Sequence, residues 1–242
     1  MSERPVLLLC AYQEATRIGD VLDAVAQAAP GYERLVVDDG SSDATADVAR
    51  RHGAHVVRHP FNLGYGAALQ TGYKYARAVG APWLVQMDAD GQHDPSGIAS
   101  LAEPIERGEL DLVVGSRFLF AGPGDAYAMG PVRTLGRRVF SGVSSAFGLS
   151  LTDPTSGFQA LGPHALALYV GDFFPCDFPD VDVLLVAHRH GLRVGERPVH
   201  MWQSRRPSTL HSGWAPIYYV YKMSLSTWAA SRTVSGGREG SR

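Results

Sequence analysis

Acidic residues gather in two short stretches, Asp38-Asp39 and Asp88-Ala89-Asp90, each directly after an apolar run. Carboxylates are hard oxygen donors, and two of them separated by one residue in extended chain point the same way. Such a pair suits Mg2+ or Mn2+, held partly by substrate phosphates. Gln92 and His93 follow at once and extend the donor set. A lone Asp-x-Asp more often caps a helix or marks a turn; two acidic stretches at corresponding strand ends favour a site. A second group is cationic: Arg117, Arg133 and Arg137, the last two one helical turn apart. Arginine presents a planar fork matched to phosphate oxygens, whereas Arg138 reads as a solvated surface residue. Further along, Asp180 and Asp182 open an apolar-periodic segment, where Asp182 is either a general base or the polar start of a helix.

These residues need elements to position them. Val6 to Cys10 is a continuous apolar run, the mark of a strand buried on both faces. Ile18, Val21, Leu22 and Val25 recur at helical spacing. Strands are predicted at 35–37, 55–57, 83–87 and 110–114, with a Ser41-Ser42-Asp43 start signal leading into a short helix through Arg50 and further helices at 66–79 and 95–107. Strand and helix alternate five times in about 115 residues, which predicts a single doubly wound, mostly parallel α/β sheet with helices on both faces. After Arg117 the pattern loosens. A Gly/Pro-rich loop at 121–131 precedes a helix at 132–147, a short strand near 156–161, a helix at 181–190 and a strand at 194–201. A catalytic domain over 1–210, an amphipathic helix over 211–234 and a disordered Gly/Ser/Arg-rich tail over 235–242 complete the expected organisation. In such a sheet, ligands bind beyond the carboxyl ends of the strands, where both acidic stretches fall.

Composition narrows the classes. The chain has 242 residues, 45% hydrophobic, enough for a sizeable core, and a formal net charge of -2, which gives no overall basic field for nucleic acid. Cys10 and Cys176 form no CxxC pair and suit a reducing cytoplasm. No signal peptide is expected, and no stretch reaches the ~20 apolar residues needed to span a bilayer.

Six motifs then carry a resemblance. Val37-Asp38-Asp39-Gly40-Ser41-Ser42-Asp43-Ala44-Thr45 is similar to the nucleotide-binding signature of family 2 glycosyltransferases. Met87 to Pro95, reading MDADGQHDP, resembles the metal motif of their polyprenyl-phosphate branch. Ala11-Tyr12-Gln13-Glu14, Asn62 to Ala68, Gly115-Ser116-Arg117 and Thr152 to Phe158 follow the family order. The resemblance implies a glycosyltransferase A fold and a nucleoside-diphosphate sugar donor of the UDP-glucose or GDP-mannose type. It implies that Tyr12, Glu14 and Asp39 hold base and ribose, with Ala11, Asn62, Gly66, Asp88, Ala89 and Arg205 also lining the donor site. It implies that Asp88, Asp90 and Gln92 hold the metal, and that Gly64 and Gly66 open a helix where backbone approaches the ligand. Arg117 and Arg133 match acceptor-phosphate residues of that branch, while Arg137 falls at a more variable position.

The chemistry agrees with a lipid-phosphate acceptor. A phosphate monoester has a second pKa of ~6, so it attacks without a general base. A sugar hydroxyl or polysaccharide acceptor would need one, and Asp182 is the candidate. The resemblance, together with the lack of an evident nucleophile for a covalent intermediate, implies direct displacement with inversion. One family position departs: Arg205-Arg206-Pro207-Ser208 places proline where the family has glycine, stiffening that loop. The segment from Trp214 to Arg232 aligns Trp214, Ile217, Tyr218, Tyr221, Leu225 and Trp228 on one stripe. Peripheral contact with the cytoplasmic membrane face, or packing on the core or on another subunit of a homo-oligomer, are its two readings. A phospho-receiver would place its acidic pair after the first strand, and a dinucleotide oxidoreductase needs GxGxxG; neither is present. A nucleotidyltransferase phosphate loop is also missing. A non-catalytic nucleotide- or lipid-binding protein remains as the competitor, opposed by the intact acidic set.

Overall fold

The computed structural model describes residues 4–119, 148–176 and 179–202, together with 141, 142 and 145. Seven strands form one sheet: β1 (Val6–Ala11), β2 (Glu33–Asp38), β3 (His55–Arg58), β4 (Leu84–Asp88), β5 (Leu112–Ser116), β6 (Gln159–Leu161) and β7 (Val194–Pro198). Their order is β3-β2-β1-β4-β6-β5-β7, parallel throughout except for β6, which runs antiparallel to both β4 and β5. The described helices are α1 (Ile18–Ala28), α2 (Thr45–Arg51), α3 (Tyr65–Val79), α4 (Ile98–Glu106), α5 (Pro163–Tyr169) and α6 (Val181–Arg189). The doubly wound, mostly parallel sheet expected from the sequence is therefore the fold.

Alternation along β1 explains its unbroken apolar run. Val6 and Leu8 face α3, α5 and α6, joining Tyr73, Leu166, Tyr169 and Leu184. Leu7 and Leu9 face α1 and α4, joining Leu22, Val25, Leu101 and Phe158. Side chains on a strand alternate faces, so a strand covered on both sides needs apolar residues at every position. Each buried leucine contributes roughly 1.5–3 kcal/mol. Helix α3 ends at Gly80, whose left-handed backbone (φ 72°) lets its N–H close the last turn.

The elements differ from expectation in three places. Helix α4 is preceded by a 3-10 turn, Pro95–Gly97, with Asp94 accepting from Ser96 N, because proline starts a turn readily but cannot donate. Helix α5 was not predicted, although Gly162-Pro163 marks its start. Strand β6, three residues long, is too short to announce its direction. The segments 121–131, 203–242 and most of 132–147, including the C-terminal stripe, lie outside the described residues.

Chain order reverses at β1. From it β2 and β3 lie to one side and β4 to the other, which opens a crevice at the carboxyl ends of β1 and β4. Register aligns Ala11 with Asp38 and Cys10 with Asp88, so both acidic stretches flank that crevice.

Candidate active site

At the end of β2 both carboxylates are turned inward. Asp38 is fully buried; its Oδ1 accepts from Ser41 N at 3.0 Å. Its Oδ2 lies 3.1 Å from Arg58 Nε, an ion contact without hydrogen-bond geometry. Asp39 Oδ1 accepts from Leu63 N at 2.8 Å and faces His59 Nδ1 at 2.7 Å, while Oδ2 accepts from Gly64 N at 3.0 Å. Asp39 thus fixes the turn that begins α3, where Gly64 takes φ 102°, a conformation closed to most side chains.

The loop after β1 is stitched to this end. Gln13, itself at φ 60°, donates its N–H to Ser41 Oγ and its amide to Ser42 Oγ, and Glu14 N donates to Thr45 Oγ1 at 2.9 Å. The Glu14 carboxylate pairs with Arg17 at 3.1 Å. Tyr12 stands half-exposed on the rim and Asn62 is exposed. The Ala11 and Ala89 side chains are buried in the core, so these two residues offer a ligand only backbone atoms.

The end of β4 is different. Strand geometry stops at Asp88, and Asp90 lies in a turn. The expected convergence of the two carboxylates through extended backbone is therefore not how they are placed. Asp88 Oδ1 accepts from the Tyr65 hydroxyl at 2.9 Å, and about a third of the Asp88 side chain is exposed. Burial, reinforced by Asp88, pushes the Tyr65 phenol well above its usual range, so it stays a donor. Asp90 Oδ1 accepts from Gln92 N at 2.9 Å, and the Gln92 amide nitrogen donates to Asp90 Oδ2. Gln92 Oε1 is then the atom left to face a cation.

His93 does not extend the donor set as expected. Its ring is buried, stacked on Phe158 at 5.0 Å, and Nδ1 accepts from Asp88 N at 3.0 Å. An Nδ1 that accepts leaves the proton on Nε2, 3.6 Å from Asp88 Oδ2. Burial lowers its pKa against the pull of Asp88 and Asp90, so His93 is neutral and orients Asp88. Burial, then Asp88 and Asp39, push the Cys10 thiol up. Gly157 lies against Asp88: a Cβ there would stand 3.1 Å from the Tyr65 hydroxyl and 3.4 Å from both Asp88 oxygens.

Among the described residues, no group of three or more His, Cys, Asp or Glu side chains forms a metal cage. Two carboxylates and an amide oxygen, completed by phosphate and water, are nevertheless a fitting set for Mg2+ or Mn2+.

Other sequence candidates are placed otherwise than expected. Gly66 does not open α3 to a ligand; the helix starts at Tyr65, and a Cβ at 66 would meet Pro175 O at 2.1 Å. The close approach is to the chain's own backbone, with Ala67 N donating to Cys176 O. The Arg117 fork is occupied by buried Asp153, with Nε to Oδ2 at 2.6 Å and Nη2 to Oδ1 at 2.7 Å. Glu196 on β7 in turn accepts from Thr152 N and Asp153 N. Asp182 is buried at the start of α6, where its Oδ1 accepts from Asp180 N and Val183 N. Arg133, Arg137, Arg138 and Arg205 lie outside the described residues. Five further residues serve this site: Tyr65, Asp153 and Gly157, which stand inside the motifs, and His59 and Glu196, which carry no sequence signal.

Beyond β7 the chain crosses this rim. Val199 N donates to Ser116 O, Asp94 N to His200 O, and Trp202 N to Gln92 O at 2.7 Å. Among the described residues no helix is long and apolar enough to cross a membrane.

Comparison with known proteins extends this picture. The sequence model of glycosyl transferase family 2 matches residues 7–161. The chain is similar to the undecaprenyl-phosphate mannosyltransferase of Micrococcus luteus, 33% identical over 208 residues, covering 81% of this chain and 82% of that protein. It is also similar to the polyprenol monophosphomannose synthase of Mycolicibacterium smegmatis, 31% identical over 167 residues, 66% of this chain and 62% of that protein. Among solved structures, glucosyl-3-phosphoglycerate synthase from Mycobacterium tuberculosis, in complex with Mn2+ and uridine-diphosphate-glucose, superposes with a TM-score of 0.70. That match covers 94% of this chain and 80% of the other at 20% identity, a likeness of fold.

Proposed function

The chain belongs to glycosyl transferase family 2, and on that premise we propose that it moves a hexose from a nucleoside-diphosphate sugar to a polyprenyl phosphate, with inversion. The observation that carries the donor half is the partnering of the β4 acids. Asp88 and Asp90 are matched only by neutral groups among the described residues: the Tyr65 hydroxyl, the neutral His93 ring and Gln92. Negative charge left uncompensated at a strand end in a crevice is a seat for a divalent cation. Bound there, Mg2+ or Mn2+ supplies the charge that neutralises the departing diphosphate. Asp88, Asp90 and Gln92 hold it, and Tyr65 and His93 keep Asp88 in place.

On the β2 side, Tyr12, Glu14 and Asp39 receive base and ribose, with Asn62 and Arg205 around the donor. A carboxylate has about four acceptor sites; three of those on Asp39 are filled by Leu63, Gly64 and His59, which leaves one on Oδ2. In the transfer step an ionised acceptor oxygen attacks the anomeric carbon. The bond from that carbon to the diphosphate oxygen breaks, and its electron pair leaves with the nucleoside diphosphate. An acceptor already ionised at pH 7 needs no base, in keeping with Asp182 having one oxygen occupied by backbone N–H groups.

Similarity to two enzymes named for polyprenyl-phosphate mannosyl transfer supports the acceptor. Asp153 fixes Arg117 and compensates its charge, and Arg133 and Arg137 are the proposed phosphate clamps. Thermal-shift screening with UDP-glucose and GDP-mannose, with and without Mn2+, identifies the donor. Transfer of radiolabelled sugar to a short polyprenyl phosphate, and not to the matching polyprenol, is the expected result. Equal transfer to the free alcohol would overturn the phosphate acceptor.

A further inference from the structure

His59 directly follows β3 and is almost wholly buried, with 8% of the residue exposed. Both of its ring nitrogens are engaged within the fold. Its ring spans two elements: Nδ1 lies 2.7 Å from Asp39 Oδ1, and Nε2 lies 2.9 Å from Thr71 Oγ1 on α3. Thr71 Oγ1 is itself 2.9 Å from Ala67 O, one turn earlier in the same helix. The backbone of His59 is fixed as well, its N–H donating to Asp38 O at 2.9 Å.

Without the ring, Asp39 would be held only by two N–H groups of adjacent residues, Leu63 and Gly64. These take one oxygen each, but both lie on one short turn, so the carboxylate moves whenever that turn moves. A third donor from the chain just after β3, braced by α3, ties Oδ1 to the rest of the fold. We infer that His59 is a positioning residue of the donor pocket: it locks the Asp39 carboxylate so that its one open acceptor, on Oδ2, faces the nucleoside of the donor. This rests on the reading of Asp39 as a nucleoside contact.

Two substitutions separate the contacts. The side-chain amide of His59→Asn places a donor near the Nδ1 position and keeps the Asp39 bond. That of His59→Gln places its donor near the Nε2 position, keeping Thr71 and losing Asp39. Calorimetric titration with UDP and with GDP in MnCl2, on the full chain, is the measurement. For whichever nucleotide the unmodified protein binds, His59→Gln raises Kd at least fivefold and His59→Asn stays within twofold. The same split appears in KM for the nucleotide sugar, with kcat changing less than twofold. Thr71→Val shifts Kd in the same direction as His59→Gln, by less. Equal losses in the Asn and Gln variants would reduce His59 to a space-filling ring, and unchanged affinity in His59→Gln would overturn its role outright. An unmodified protein that binds neither UDP nor GDP sinks the donor reading, and this inference with it.

Discussion

Two strand ends carry acidic pairs, and the fold treats them in opposite ways. At β2, Asp38 and Asp39 each meet a basic residue from the end of the neighbouring strand, Arg58 and His59, and both are buried. At β4, Asp88 and Asp90 meet a phenol, a neutral imidazole and an amide, and remain partly exposed. Two carboxylates after an apolar run are thus not one kind of feature. Where the partners come from the neighbouring strand end and both acids are buried, the pair braces the surrounding backbone; where the partners are neutral donors at a partly exposed rim, the pair suits the proposed cation.

The contrast can be broken most forcefully at Asp90. Asp90→Asn keeps the turn but removes the charge, so Mn2+-dependent nucleotide affinity should fall about a hundredfold, or ~2.7 kcal/mol, with the melting temperature held. Unchanged affinity by calorimetry would remove Asp90 from the metal set. Asp38→Ala should do the reverse. Asp38→Ala leaves buried Ser41 N without its acceptor and takes the carboxylate from Arg58, which keeps only the Ser41 carbonyl, and should cost about 2 kcal/mol of stability. Urea denaturation measures it, and Mn2+ affinity of the folded fraction should not change. A destabilisation under ~1 kcal/mol would show that the β2 pair is not structural.

Tyr65→Phe is subtler. Losing the hydroxyl frees Asp88 Oδ1 without altering charge, and should weaken Mn2+ binding about fivefold, ~1 kcal/mol, read by titration with the metal alone. No change would mean that the phenol does not orient Asp88.

The smallest effect tests an acid whose countercharge is fully supplied. At the amino end of β5, Asp111 takes Arg193 Nε and Nη2 at 2.9 and 3.1 Å. Hydrogen bonds from Arg193 hold its carboxyl well below the usual carboxylate range. A depressed folded value gives stability that is complete above the unfolded value of about 3.9 and lost as pH falls through the folded one. Asp111→Asn should therefore be less stable than the unmodified protein at pH 7, with the gap closing from about pH 4 downward. A gap constant with pH would assign the difference to packing.

Much of this was legible in the sequence. Continuous apolar runs at Val6 and Leu35 required strands covered on both faces, and the spacing of Ile18, Val21, Leu22 and Val25 required α1. The acidic stretches fell at strand ends because aspartate is poorly tolerated inside a buried strand. What the sequence hid were partnerships between distant residues. Arg117 reads as an open phosphate fork until Asp153, 36 residues on, is seen to occupy it. Asp39 reads as a carboxylate wholly open to a ligand until Leu63, Gly64 and His59 are found on its oxygens, leaving one acceptor position. Gly66 looks like room for a ligand, yet the room is taken by Pro175. A lone histidine such as His59 has no periodicity to betray its use.

The chain beyond β7 hooks the acidic turn twice, with Asp94 N on His200 O and Trp202 N on Gln92 O. Parting the two segments breaks both bonds together. In hydrogen-exchange terms these amides belong to one opening unit, and those of Asp94 and Trp202 should exchange with a common free energy. A cation gripping Gln92 would then slow exchange at Trp202, 110 residues along the chain, without touching it.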